Sequence, residues 1–177
     1  MACPPQIGIV YLPVNLARGG LIVAIEIERK FLTCNDRWRR EVARSIVMQQ
    51  GYLAGSSDCS IRVRLSDGQA HLNIKSATLG IRRTEFEYVV PRADAELMLA
   101  TLCGTRTLEK TRHFVKHNGH IWEIDEFHGA NAGLTVAELE LDAEDEVFEP
   151  PSWLGVEVSD DPRYYNSCLV EHPYKNW

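Results

Sequence analysis

From Val23 to Leu32 apolar and charged side chains alternate strictly, with Val23, Ile25 and Ile27 on one side and Glu26, Glu28 and Lys30 on the other. That is the period-two signature of a strand. Asn35 or Asp36 can cap a helix running to about Gln50, with Trp38, Val42 and Ile46 as its apolar stripe and Gly51 as its stop. Alternation returns over Ser60–Ser66 and again over Gln69–Lys75, with Asp67-Gly68 between them as a tight hairpin turn. Arg83–Val90 reads as a fourth strand and Ala93–Cys103 as a short helix closed by Gly104. Thr107–Lys116 and Ile121–Phe127 flank Asn118-Gly119, the strongest short hairpin signal, and Thr135–Leu141 is a further strand. Glu149-Pro150-Pro151 breaks the chain, Val156–Ser159 can pair weakly, and Pro162–Leu169 predicts a closing helix. Seven or eight strands joined mostly by tight turns, with two or three helices interspersed, predict an antiparallel sheet curled into a barrel.

The first 22 residues fit neither period. They contain two adjacent prolines and lack a basic stretch before an apolar one, so they do not read as a signal peptide. Two readings stand side by side: a leader outside the folded domain, with translation starting at Val23, or an N-terminal arm packed on it. The folded domain is expected over 23–177.

The polar faces of the strands carry the chemistry. Charged residues of one sign recur two apart: Glu26 with Glu28, Arg62 with Arg64, Glu85 with Glu87, Lys110 with Arg112, Glu123 with Asp125, and Glu138 with Glu140. Lys30 follows the first pair, and Lys75 stands alone. The opposite faces are apolar, as in Ile61, Val63 and Leu65, or Trp122 and Ile124. For any one strand a solvated outer face is the simpler account. Repeated over six strands it strains, because like charges two apart repel and solvation alone does not call for them. A barrel with the charged faces inward would enclose eight carboxylates and six basic groups. Buried charges left unpaired cost several kcal/mol each. Divalent cations on the paired carboxylates, and a polyanion on the arginines and lysines, would balance such a lumen. The ligand this implies is a short polyphosphate chain with its metal ions.

Composition narrows the field further. The 177 residues are 45% apolar and 25% charged, ordinary for one globular domain, and the net charge of −6 leaves no bulk basic field for nucleic acid. Five scattered cysteines without a CxxC pair point away from a disulfide framework or structural zinc and toward a reducing, cytoplasmic setting. No stretch approaches the roughly 20 apolar residues that span a bilayer, so no membrane partner is expected. There is no P-loop and no serine or cysteine nucleophile motif.

The ordered charges also carry a family resemblance. Glu26-Ile27-Glu28-Arg29-Lys30 resembles the ExExK signature that opens the CYTH superfamily, the triphosphate tunnel metalloenzymes. Arg62-Val63-Arg64, Lys75, Glu85-Phe86-Glu87, Lys110-Thr111-Arg112, Glu123-Ile124-Asp125 and Glu138-Leu139-Glu140 resemble the family's later strands in order, and Arg163–Asn166 its C-terminal helix. The resemblance spans roughly Val23 to Pro173. It implies a β-dominated α+β fold, a closed eight-stranded antiparallel tunnel with interspersed helices. It also implies a small-molecule triphosphate substrate handled with Mg²⁺ or Mn²⁺, by a monomer or homodimer.

Short bacterial members resemble inorganic triphosphatases, so the expected reaction is hydrolysis of tripolyphosphate to pyrophosphate and phosphate. On that basis Glu26, Glu28 and Lys30 are expected at the reacting centre. Glu26, Glu28, Glu138 and Glu140 are expected to hold metal. Lys30, Arg62, Arg64, Lys75, Lys110 and Arg112 are expected to clamp phosphates, with Glu85, Glu87, Glu123 and Asp125 in support.

Alternatives are an adenylate cyclase of class IV type, a thiamine or nucleoside triphosphatase, and a polyphosphate-binding module without turnover. A lipocalin-like carrier would instead need an apolar lumen. His113, His117 and His120 have ligand-like spacing but straddle the Asn118-Gly119 turn and read as solvated. Arg37, Arg39, Arg40 and Arg44 would form a basic helix face, solvated or set toward an anionic partner or the tunnel mouth. Tyr52, after the expected helix, reads as core packing ahead of a cover for a tunnel entrance, and the four tryptophans read as packing residues rather than stacking platforms.

Overall fold

In the computed structural model, which describes residues 25–177, the chain forms nine strands. They are β1 (Ile25–Thr33), β2 (Val42–Gly55), β3 (Cys59–Ser66), β4 (Gln69–Ser76), β5 (Arg82–Val89), β6 (Thr107–His117), β7 (His120–Phe127), β8 (Thr135–Glu140) and β9 (Leu154–Glu157). Helix α1 spans Arg92–Thr101 and the one-turn α2 spans Asn166–Leu169. The expected leader, residues 1–22, lies outside the described residues.

All pairings are antiparallel. The sheet runs β5-β4-β3-β2-β6-β7-β8-β1, and β1 closes it by pairing Ile25–Ile27 with β5. The eight-stranded barrel expected from the strand pattern is therefore present. Pairing with β5 covers only the start of β1. The rest of that edge is taken by β9, by the Val158 N–H donating to the Lys30 carbonyl, and by the Lys30 N–H donating to Ser159 Oγ. No length of β1 is left as an open edge. Both hairpin turns form as read, with positive φ at Asp67 and Gly68 and again at Asn118 and Gly119.

The sequence reading fails at residues 36–55. In place of one helix there is a 3₁₀ turn at Arg37–Arg40 followed by β2, at 14 residues the longest strand. Trp38, Val42 and Ile46 recur at helical spacing, yet Ile46 lies in β2 opposite Arg112, while Trp38 is buried in the turn. Pairing with both β3 and β6 overrides a weak local preference. Gly51 is not a helix stop. It is a strand residue against which α1 packs, since a Cβ there would lie 2.6 Å from Cys103 Sγ and 2.9 Å from Leu99. With the helix gone there is no basic helix face: Arg39 pairs with Glu126, and Arg44, on β2, with Asp67. The C-terminal helix is also shorter than expected. A 3₁₀ turn at Pro162–Tyr164 and α2 are separated by Tyr165 in extended conformation.

The apolar core lies largely outside the barrel. Phe31, Trp122, Ile124, Ala137 and Leu139 project outward from β1, β7 and β8 and are covered by Trp38, Leu141, Phe148 and Trp153. The Trp122 ring meets Trp153 edge-on at 5.4 Å, Phe148 at 5.4 Å and Phe31 at 5.8 Å. A second cluster fixes α1 through Ala95 and Leu99 to Val63, Leu65 and Ala70. A third lies on the inner face at one end. There Leu32, Leu108, Phe127 and Val136 turn apolar and meet Leu169, Val170 and Tyr174 of the C-terminal segment. The remaining inner face is free to be polar.

Candidate functional site: a charged tunnel

Period two sends Glu26, Glu28 and Lys30 of β1 inward while Ile27 and Phe31 enter the outer core. The same parity holds round the barrel, and a cavity of about 2060 Å³ results. It is lined by every expected site residue except Asp125, which is completely buried behind Arg112 and Lys110. An apolar, carrier-type lumen is ruled out by this lining.

The acidic and basic pairs are interleaved by register. Lys30 faces Glu138 and Glu28 faces Glu140 across β1–β8, while Glu26 faces Arg83 across β1–β5. Lys75 faces Glu85 across β4–β5, and Arg112 faces Asp125 across β6–β7. On one wall Asp125 binds both Lys110 and Arg112, and Arg112 also reaches Glu123 and Glu138. On the other wall Arg64 pairs with Glu87 at 2.8 Å and Lys75 with Glu85 at 3.0 Å, while Asn73 donates to Glu85 at 2.6 Å. Glu85, Glu87, Glu123 and Asp125 thus hold the basic residues in place.

Burial works against the Lys30 charge, but Glu138 and Glu28 outweigh it and raise its pKa. Burial likewise opposes the Glu138 charge, yet Lys30 and Arg112 hold its carboxyl well below the usual range. Lys110 goes the other way: burial and the neighbouring Arg112 outweigh Asp125 and lower it to about 8. Burial and Arg62 lower Arg64 in the same direction.

Within this interleaving three carboxylates lie close to one another. Glu26, Glu28 and Glu140 each place an oxygen within 4.8 Å of the others, and no other such cluster of potential ligands exists among the described residues. Glu140 has no basic partner within 4.0 Å among the described residues. Burial, together with Glu26 and Glu28, raises its pKa. A cluster of hard oxygen donors, one of them without a basic partner among the described residues, fits a divalent cation. Glu138, expected in the same role, instead turns toward Lys30 and Arg112.

Several lining residues had escaped the sequence reading. Arg83 is within 3.3 Å of Glu26 and 3.5 Å of Glu28, and its position two residues before Glu85 was the signal. His71 shares the parity of Lys75 and lines the cavity, while Asn73, of the same parity, is fully buried and donates to Glu85 and Glu87. Gln50 was hidden by the misread helix, and Tyr52 proves to line the cavity beside Arg62 rather than the outer core. The histidines near the 118–119 turn form no ligand group: His113 contacts Ser45 and Glu126, and His120 contacts Glu146. Trp38, Trp122 and Trp153 are packing residues, as expected, and Trp177 rests on Tyr164 and Tyr174. Cys34, Cys59, Cys103 and Cys168 are free thiols. No helix among the described residues is long and apolar enough to cross a membrane.

Residues 24–165 match the CYTH domain. The chain belongs to the CYTH family. It is 43% identical over 152 residues to a protein of Acetivibrio thermocellus named inorganic triphosphatase, covering 86% of this chain and 97% of that one. It is 34% identical over 149 residues to a protein of the same name from Nitrosomonas europaea, covering 82% and 96%. A crystal structure of an inorganic triphosphatase superposes with a TM-score of 0.60 at 33% identity, over 82% of this chain and 97% of that chain. CYTH proteins are metal-dependent tunnel enzymes, and in this tunnel Glu26, Glu28 and Glu140 bring three carboxylate oxygens within reach of one another.

Proposed function

We propose that this protein hydrolyses inorganic tripolyphosphate to pyrophosphate and orthophosphate, with Mg²⁺ or Mn²⁺ as the divalent cation. The observation that carries the reading is a barrel lumen with basic residues on both walls and one cluster of three carboxylates, of which Glu140 has no basic partner among the described residues. The names of the two relatives at 43% and 34% identity support the same chemistry over its alternatives.

Glu26, Glu28 and Glu140 would hold the cation, which when bound supplies Lewis acidity and neutralises phosphate oxygens. Arg62, Arg64 and Lys75 on one wall, and Lys30, Lys110 and Arg112 on the other, bind and straighten the phosphate chain. Arginine forks give bidentate contacts to phosphate oxygens, and the fixed positive charges stabilise the negative charge that grows on the leaving group. The oxygen of a water forms a bond to the terminal phosphorus, and the bridging P–O bond to the other two phosphates breaks. The electron pair leaves with pyrophosphate, and the water gives up one proton to solvent and keeps the other on orthophosphate. Glu138, Glu85, Glu87, Glu123 and Asp125 act through the basic residues they hold.

The test is release of phosphate from tripolyphosphate, ATP and thiamine triphosphate, each with Mg²⁺, Mn²⁺ or EDTA, with chromatography of the ATP products. Metal-dependent release strongest on tripolyphosphate is expected. Cyclic AMP without orthophosphate would replace this reading with the cyclase. Metal-dependent binding without release would replace it with the binding module.

A further inference from the structure

Arg83 projects from β5 into the gap between two of the three clustered carboxylates. Its Nε lies 3.3 Å from Glu26 and its Nη2 3.5 Å from Glu28. These contacts are loose. Nε makes no aligned hydrogen bond although it is buried. The other cations on the same carboxylates are held tightly: Lys75 meets both oxygens of Glu26 at 2.8 and 2.9 Å, and Lys30 meets Glu28 at 2.6 Å. Behind Arg83 stands Tyr165, whose ring centre is 5.7 Å from the guanidinium carbon. The Tyr165 hydroxyl is fixed, donating to the Ser159 carbonyl at 2.8 Å and accepting from the Gly80 N–H at 3.2 Å.

We infer that Arg83 is an exchangeable counter-ion. It occupies Glu26 and Glu28 while the cluster holds no divalent cation, and it yields them when one binds, turning its guanidinium to the phosphate chain. The inference rests on the proposed cation site. A divalent cation seated on Glu26 and Glu28 repels the cations already there, and the guanidinium at 3.3 to 3.5 Å is the most loosely held of the three. Its charge then serves a second partner, because the lumen it faces is the one that takes a polyanion. Arg83 therefore couples the two ligands: cation binding releases a phosphate-binding group, and by linkage the phosphate chain strengthens cation binding by the same factor.

The experiment compares the wild type with Arg83→Met and Arg83→Lys, using Mn²⁺ alone followed by calorimetry and tripolyphosphate turnover in excess Mn²⁺. Circular dichroism and thermal unfolding check that each variant folds. Arg82→Ala is the control, since Arg82 pairs at the surface with Glu144. Without Arg83 the cation no longer has to displace the guanidinium, so Mn²⁺ alone should bind Arg83→Met about tenfold more tightly, within the usual range of coupling between sites. The same variant should need more tripolyphosphate, with KM rising more than kcat falls. Arg83→Lys should restore most of both, and Arg82→Ala should behave as wild type. Unchanged or weaker Mn²⁺ binding in a folded Arg83→Met would overturn the exchange and leave Arg83 as a brace for the carboxylates. A wild type that fails to bind Mn²⁺ would instead overturn the cation site itself, so the two failures are separable.

Discussion

Glu28 stands directly opposite Glu140 across the β1–β8 ladder, so the barrel places two carboxylates at facing positions where like charges repel. Lys30 relieves Glu28, and no basic side chain among the described residues lies within 4.0 Å of Glu140. Glu28→Gln keeps the size of the side chain and removes a charge. We expect metal-dependent phosphate release to fall by at least about a hundredfold, the scale of losing one strong electrostatic contact in a closed site. The unfolding temperature without metal should change little, because the repulsion with Glu140 and the buried pair with Lys30 are lost together. Near-normal turnover would remove Glu28 from the cation site.

Arg64 is paired with Glu87 alone at hydrogen-bond distance, and burial with the nearby Arg62 depresses its pKa. Its charge is in excess on that wall and available to phosphate. Arg64→Ala should raise KM for tripolyphosphate by about tenfold or more, the scale of a hydrogen bond to a charged group, with a smaller loss in kcat. Steady-state kinetics in saturating metal measure both, and unchanged values would exclude Arg64 from the clamp.

Asp125 is fully buried and binds Lys110 and Arg112 together. Removing one partner of such a group leaves buried charge uncompensated, a loss of about 3–5 kcal/mol. Asp125→Ala should therefore lower denaturant stability by that order and reduce activity at the same time. A variant as stable as the wild type would show that water or a neighbouring carboxylate replaces it.

Lys110 has a pKa near 8, lowered by burial and by Arg112. The unfolded chain holds this proton up to the ordinary lysine value near 10.4, so between these two pH values the unfolded state binds more protons. Stability contributed by this group therefore rises with pH across that window. Phosphate binding runs the other way, since the neutral amine no longer attracts the polyanion. KM for tripolyphosphate should climb as pH passes 8, and Lys110→Met should have a high KM with that step removed. The same step in both proteins would assign it to another group.

Trp122 packs edge-on against Trp153, Phe148 and Phe31 on the outside of the barrel. Trp122→Ala should cost about 3–5 kcal/mol, read as a lower denaturant midpoint. The loss would fall on stability first, because none of these rings lines the tunnel.

By itself the sequence determined seven of the eight barrel strands, both tight turns and the separation of charged from apolar faces, while the closed barrel turned the charged faces inward. Alternation with period two is a local property, and Glu26, Glu28 and Lys30 cannot share a face with Ile25 and Ile27 in any strand. The second strand was hidden. Arg44, Ile46, Met48, Gln50 and Tyr52 point inward while Ser45, Val47, Gln49 and Gly51 point out, so neither face is uniformly polar. Only pairing to β3 and β6 makes this segment a strand, and with it Gln50 and Tyr52 enter the tunnel. The division of labour among the carboxylates also waited for the fold. Glu138 and Glu140 look alike along β8, two residues apart on one face. Register puts Glu138 beside Lys30 and Glu140 beside Glu28, so one becomes a partner for cations in the chain and the other has none among the described residues. That difference depends on which strand lies alongside and in which register, which long-range pairing sets and local pattern does not encode.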